Sequence, residues 1–497
     1  MLDARAHSSR RLAEFALLGV ILAAAATARL WNLGSGVPYA VGIDEPQIVD
    51  RALRILKTGD WNPHIFDYPT LVIYFYALVA IGRFLWGALQ GEWASLDAYS
   101  ISALYLTGRA AAAIIGVATV WLTYRLGSEL SSRRVALLAA AQMAVRPIHV
   151  RESRFILTDV PMAALMTLAV WLSVRAGRLG TLRAYAWAGV ACGLAAAAKY
   201  NGGIALVAPI AVWLLQERVS PDRWRKLGAI VGGAAVAFLA GAPYTLLDMP
   251  AFLDGFAAQF SRFATPLPAG ADPAWLLYLK HLSLAGTYRV PIAVAGMAIV
   301  AWRSTARTRW TPVILFTLAY FYMLSTHSHV FDRYAVPLLP MLCLFSAVAV
   351  MDVLRALDRL AALQRPAARR LVLAVAWIAV LYGPTLRTVG WLDLQKRTDT
   401  RQLAAEWLKA RTPKRARVAV ENSGPTYLWD AGFKVTRTER LIDHDVDWYR
   451  QRADYLVIST FDLTTYGEFL NAGPVVFQIS PTLQRFGPPI EIVKLNP

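Results

Sequence analysis

The sequence is poor in the features that mark secreted, nucleotide-binding and repeat proteins. It has two cysteines in 497 residues, Cys192 and Cys343, both inside apolar runs. That placement excludes a disulfide framework. No glycine-rich phosphate loop follows a strand, so nothing points to a nucleotide-binding fold. No internal repeat and no low-complexity tract occurs beyond alanine-rich stretches. No small-residue cleavage site precedes the first acidic pair, so the basic N-terminus and its apolar run are expected to form a first transmembrane helix and not a signal peptide. Acidic residues are outnumbered, 33 against 51 lysines and arginines.

Apolar residues are abundant. They make up 57% of the chain, and mean hydropathy is +0.41. Such values with repeated long apolar runs describe a polytopic helical membrane protein. The net charge of +18 then needs no nucleic-acid partner, because basic cytoplasmic loops account for it. Twelve runs are candidate spans, at roughly 14–31, 70–89, 103–126, 134–148, 160–177, 184–198, 202–216, 227–243, 283–302, 310–325, 333–353 and 371–388. With the N-terminus inside and 70–89 lying at the outer interface, the other loops sort by charge. Arg133 and Arg134, Arg178 and Arg183, Arg223 and Arg225, Arg303, and Arg355 with Arg369 and Arg370 then all face the cytoplasm. This gives about eleven spanning helices and an extracytoplasmic C-terminus. Residues 1–388 form the membrane domain, with outer loops 32–102, 146–159 and 244–282. Interfacial helices are expected over Pro46 to Lys57, residues 70–89 and Ala251 to Phe263. Residues 389–497 lose the long runs and are expected to form a small α/β domain, with a helix over 400–410 and strands near 417–420, 455–460 and 475–479.

The outer loops hold the residues suited to chemistry. Asp44 and Glu45 stand side by side just after the first span, where two carboxylates are costly without a task. The plainer reading is an interface pair or a helix N-terminal charge. Asp159 opens a later span, where an N-cap is the plainer role. The outer side should carry few cations, so Arg51, Arg54, Arg109, Arg146, Arg151, Arg154, Lys199, Arg262 and Arg333 stand out. Arginine and lysine at that depth suit a phosphate-bearing substrate, and headgroup anchoring is the alternative for each. Lys199 is the sharper case, because an anchor has no use for the glycines of Lys199-Tyr200-Asn201-Gly202-Gly203. Arg333 precedes Tyr334, and Asp332 is a ready partner for it. A divalent ion would draw on Glu45, His64, His327 and His329, although no two of these have a diagnostic spacing.

Together, Asp44-Glu45-Pro46 after the first span, Tyr68-Pro69, Thr158-Asp159, Lys199-Tyr200-Asn201-Gly202 and Arg333-Tyr334 with Pro337 and Pro340 resemble the GT-C membrane glycosyltransferases. The resemblance covers about residues 1–390. Within that group the pattern is most similar to family 39, which holds protein O-mannosyltransferases and the lipid A aminoarabinose transferase. It implies transfer of a sugar from a polyprenyl-phosphate donor to a hydroxyl of a lipid, glycan or protein, generally with inversion, on the outer face of a bacterial inner membrane. It further implies Asp44 as base with Glu45 beside it, Asp159 as the second-loop acid, and Lys199, Arg333, Tyr334, Arg109 and Arg154 at the donor phosphate. The metal-binding histidine of some members has no match. A transporter of lipid-linked saccharides and a non-catalytic envelope assembly factor are the alternative functions. The first would favour charges at mid-membrane and inverted repeats; the second would tolerate Asp44→Asn.

Overall fold

The structure is a computed structural model that describes residues 2–264, 272–284, 290–326, 328–357 and 365–495. The chain is a polytopic helical membrane protein with a small mixed sheet near its C-terminus. Among the described residues, six helices are long and apolar enough to cross a membrane: Leu12–Leu30, Leu71–Leu89, Ile101–Leu130, Asp159–Leu179, Asp332–Leu357 and Pro366–Leu394. Shorter apolar helices cover Leu182–Ala198, Tyr200–Gln216 and Val290–Trp302. The segment 71–89, read from loop charge as interfacial, thus has the length and composition of a span. The run at 134–148 is divided: a helix of 12 residues, Arg133–Ala144, stops short of Pro147, which starts a second helix, Pro147–Glu152. Proline suits a first helical turn because its missing N–H has no partner there anyway. The amphipathic helices expected after the first span and in the third outer loop are Glu45–Thr58 and Met249–Ala264.

Contacts divide the chain into two units. The first comprises residues 1–31, 51–79 and 109–389. Its tightest helix pair is Leu182–Ala198 against Arg223–Gly241. A Cβ on Gly189 or Gly193 would overlap the carbonyl oxygen of Ile230 or Ala234, so the small residues four apart let the two backbones touch. Deep in this unit Arg29 is fully buried. Its guanidinium donates to the Ala144 carbonyl (2.9 Å), the Met143 carbonyl (3.3 Å) and His149 Nδ1 (2.8 Å). One cation therefore ties the first helix to the start of the second outer loop.

The second unit comprises residues 32–50, 80–108 and 390–497. Its sheet runs β3-β2-β4-β7-β5, with β2 Arg417–Glu421, β3 Lys434–Thr438, β4 Tyr455–Ile458, β5 Val475–Ile479 and β7 Ile490–Lys494. A separate two-residue bridge pairs β1 Thr398–Asp399 with β6 Arg485–Phe486. Strands β3, β2 and β4 are parallel; β7 runs antiparallel to both β4 and β5. Alternation along the strands feeds two cores. Val418, Val420 and Val457 pack with Ala404, Ala405 and Leu408 of the helix Thr400–Arg411. Ala419, Leu456 and Ile458 pack with Val446 and Tyr449 of the helix Val446–Arg452. A period of two is what a strand covered on both faces requires.

Candidate active site

In the first unit, two stretches far apart in sequence converge on Asp159. This residue is 3% exposed and opens the helix Asp159–Leu179. The N-cap is Thr158, so capping does not occupy the Asp159 carboxylate. Its Oδ1 accepts from Lys199 Nζ at 2.8 Å, and its Oδ2 lies 3.9 Å from Arg333 Nε. The Lys199 ammonium also sits 4.4 Å from the centre of the Tyr334 ring, and the Arg333 guanidinium lies over Phe331 and Tyr334 at 4.6 and 5.6 Å. Aromatic faces attract cations, so the rings help hold both charges in place.

Local structure explains why these side chains can meet. Lys199 terminates the helix Leu182–Ala198 in an extended conformation, φ −162° and ψ 135°. The chain then turns into the 3-10 segment Tyr200–Leu206, and Gly202 N–H donates to the Lys199 carbonyl at 2.8 Å. A Cβ on Gly202 would overlap the Ala195 carbonyl, whereas one on Gly203 would find only Ala196 at 3.9 Å. The first glycine of the motif is thus a packing requirement of the turn that presents Lys199. Tyr200 donates to the Phe66 carbonyl at 3.0 Å, and Tyr320 donates to the Tyr334 carbonyl at 3.1 Å.

Asp332, a ready partner for Arg333 in sequence, pairs elsewhere. Its Oδ1 accepts from Arg151 Nη2 at 2.7 Å, while Arg151 Nε donates to Glu152 Oε1 at 2.6 Å. Arg151 therefore links the second outer loop to the Arg333 segment. Burial pushes the Glu152 carboxyl above its usual range, against the pull of Arg151. Arg109 and Arg154 are 2% and 3% exposed. Arg109 covers the Phe155 ring at 5.4 Å, and Arg154 Nη1 reaches the Ala28 carbonyl at 3.4 Å. Burial first, and the Arg109 charge second, bring Arg154 down to about 10.

The acidic pair Asp44 and Glu45 belongs to the second unit. The two carboxylates differ sharply. Glu45 is fully buried, and its Oε2 accepts from the Gly42 N–H at 2.8 Å, closing the loop onto the start of its own helix. Asp44 is only partly buried. The sheet domain holds the surrounding stretch. Thr426 N–H donates to the Tyr39 carbonyl at 2.8 Å, and Arg401 Nη1 donates to the Val41 carbonyl at 3.1 Å. The Tyr427 hydroxyl donates to Asp50 Oδ1 at 2.8 Å and lies 2.9 Å from the Tyr105 hydroxyl. None of these anchors was legible in sequence. Only the left-handed backbone of Tyr427, φ 52°, sets it apart, and that is visible in three dimensions alone.

The metal candidates do not gather. His64 Nε2 pairs with Asp60 at 2.8 Å, which with Arg54 draws Asp60 down to about 2. His329 Nδ1 lies 3.2 Å from the Ser328 hydroxyl. His327 and the side chain of Arg262 lie outside the described residues. Among the described residues no three His, Cys, Asp or Glu side chains are grouped to hold a metal ion.

Residues 63–261 match the family described as dolichyl-phosphate-mannose-protein mannosyltransferase. No curated protein sequence matches the chain. Solved structures match over nearly its whole length. ArnT from Cupriavidus metallidurans bound to undecaprenyl phosphate superposes with a TM-score of 0.62 at 14% identity, covering 98% of each chain. The oligosaccharyltransferase AglB from Archaeoglobus fulgidus, in complex with an inhibitory peptide and a dolichol-phosphate, gives a TM-score of 0.60 at 14% identity, covering 90% of this chain and 70% of that one. The chain thus has the fold of the GT-C membrane glycosyltransferases, and its residues 63–261 are similar to the dolichyl-phosphate-mannose-protein mannosyltransferase family.

Proposed function

We propose that the protein transfers a sugar from a polyprenyl-phosphate donor to a hydroxyl of a lipid, glycan or protein on the extracytoplasmic face of a bacterial inner membrane. The observation that carries this reading is the buried Asp159, bonded to Lys199 and approached by Arg333, with Tyr334 beneath both cations. Such an arrangement keeps two cations ordered while the site awaits a phosphate. A lipid-phosphate donor brings its own leaving group, so two tasks remain for the protein. The acceptor hydroxyl must lose its proton as its oxygen attacks the anomeric carbon. The phosphate oxygen that leaves must be stabilised as the glycosidic bond breaks.

Asp44 takes the proton. Its partial exposure lets a carboxylate reach an acceptor, and the hydrogen bonds on Tyr39, Val41 and Asp50 fix the loop that carries it. Lys199 and Arg333 hold the charge gained by the departing polyprenyl phosphate, aided by Arg109 and Arg154. Asp159 keeps the two former cations aimed. Glu45 supports the loop and is not a second base, because its carboxylate is buried on the Gly42 N–H.

The test is transfer of radiolabelled sugar by purified protein in native-lipid extract, across a panel of polyprenyl-phosphate sugars. Wild type should move label to a lipid, glycan or protein, and Asp44→Asn should not. Equal transfer by both proteins would remove Asp44 as base. Absence of transfer with every donor, while labelled lipid-linked saccharide still crosses vesicles containing the protein, would favour a transporter.

A further inference from the structure

Arg151 has no part in the chemistry proposed above, yet its guanidinium is engaged on two edges. Nε donates to Glu152 Oε1 at 2.6 Å, and Nη2 donates to Asp332 Oδ1 at 2.7 Å. The first carboxylate belongs to its own helix, Pro147–Glu152; the second opens the 3-10 segment Asp332–Leu338. Asp332 directly precedes Arg333. Successive Cα atoms are about 3.8 Å apart, so a bare carboxylate at Asp332 would be felt at the Arg333 guanidinium.

Stability alone does not explain the pair. The Arg151 and Asp332 side chains keep 31% and 29% exposure, and an ion pair so open to water adds little to folding. A lysine would meet one carboxylate as a point charge, whereas the planar fork of arginine holds two at once. What the pair does change is the field at Arg333. That guanidinium lies over Phe331 and Tyr334, with Nε 3.9 Å from Asp159 Oδ2, and Asp159 is itself bonded to Lys199. A second carboxylate beside these cations, left without a counter-charge, would oppose an incoming phosphate.

We propose that Arg151 is a positioning residue of the donor site: by holding the Asp332 carboxylate, it keeps the charge of Arg333 for the phosphate of a polyprenyl-phosphate donor. The inference rests on the function proposed above. Arg151 acts through Asp332 and not by contact with the donor, so the two substitutions must offset each other.

The test is equilibrium binding of undecaprenyl phosphate, with undecaprenol as the uncharged probe, to purified full-length protein in neutral detergent. Wild type should prefer the phosphate. Arg151→Gln should bind undecaprenyl phosphate about tenfold more weakly, the effect of one charge at short range, and undecaprenol unchanged. Asp332→Asn should bind the phosphate about threefold more tightly than wild type. The double variant Arg151→Gln, Asp332→Asn should return to within about twofold of wild type. Arg151→Gln also takes the partner from Glu152, so Arg151→Gln, Glu152→Gln is the second arm, and it should stay weak. Rescue by the Glu152 change in place of the Asp332 change would overturn the role of Asp332. Rescue by neither, or an equal loss of undecaprenol binding, would make Arg151 a structural link only. If Arg151→Gln does not fold, Asp332→Asn decides alone, and weaker phosphate binding than wild type would overturn the proposal. Equal binding of both probes by wild type would instead remove the donor-phosphate reading itself, and this proposal with it.

Discussion

Asp44 and Asp159 are the same side chain under opposite constraint. Asp159 is buried, and its surroundings hold it through its own carboxylate, with Lys199 at 2.8 Å and Arg333 at 3.9 Å. Asp44 is partly exposed, and its surroundings hold the backbone around it, through Tyr39, Val41 and Asp50. The proposed base is served by a fixed backbone and a partly exposed carboxylate. A group that must organise cations is served by the reverse. The two positions differ as the proposed roles of base and cation-organising acid require.

Paired substitutions would break this comparison. Asp44→Asn should lower kcat by about 10²- to 10⁴-fold, the usual worth of a general base, with donor affinity and Tm unchanged. Asp159→Asn should also cost stability. Removing one partner of a buried ion pair costs about 3–5 kcal/mol, and here it leaves Lys199 with only 13% of its side chain exposed. Thermal unfolding should therefore separate the two variants; similar Tm values would collapse the distinction. Gly202→Ala should destabilise by about 1–3 kcal/mol through overlap with the Ala195 carbonyl, and Gly203→Ala by less than about 0.5 kcal/mol. Denaturation midpoints of that pair check whether the turn presenting Lys199 is as tight as its geometry.

A smaller effect sharpens the other half. Tyr427→Phe removes the hydroxyl that joins Asp50 and Tyr105, an interaction worth about 1 kcal/mol. The expected result is a several-fold fall in kcat with donor binding retained, read in single-turnover transfer. The smallest effect concerns the sheet core. Burial raises the Glu421 carboxyl, although Ser459 N–H and Tyr466 hydroxyl donate to it. The folded state then binds this proton more tightly than the unfolded one, so stability should fall as pH rises from the ordinary carboxylate range through the raised value. Glu421→Gln should flatten that slope in a pH series of unfolding midpoints.

Much of the candidate site was legible because polar residues are conspicuous beside apolar runs. Asp44, Asp159, Lys199 and Arg333 all sit where an ionised group costs most without a purpose. Their pairings were not legible. Asp332 looked like the partner of Arg333 by adjacency, and the fold gives it to Arg151 from a different loop. Arg29 carries no sequence signal that singles it out, yet it is fully buried against carbonyls of residues 143 and 144. In the sheet, three strands announced themselves through apolar runs. Strand β3, Lys-Val-Thr-Arg-Thr, is mostly polar and lies on an edge, and β7 carries the buried Glu491, which accepts from Gln478 at 2.9 Å. They hid for different reasons: Lys434 and Arg437 of β3 face solvent on an edge, whereas Glu491 is satisfied by a neighbour that only the tertiary fold supplies. The 70–89 stretch shows the converse, since its length and hydropathy alone do not say on which side of the interface it rests.

The discontinuity of the second unit has a consequence in time. The stretch around Asp44 leaves the ribosome on the order of 350 residues ahead of Arg401 and Tyr427, which later secure it. At about 5–20 residues per second, the acidic loop waits roughly 20–70 s for its anchors. Every helix of the bundle after the first is synthesised in that interval. The carboxylate proposed as base is therefore among the first of the candidate groups to be made and among the last to be fixed in place, so a chain arrested before its sheet is complete would reach the membrane with its acid unsecured.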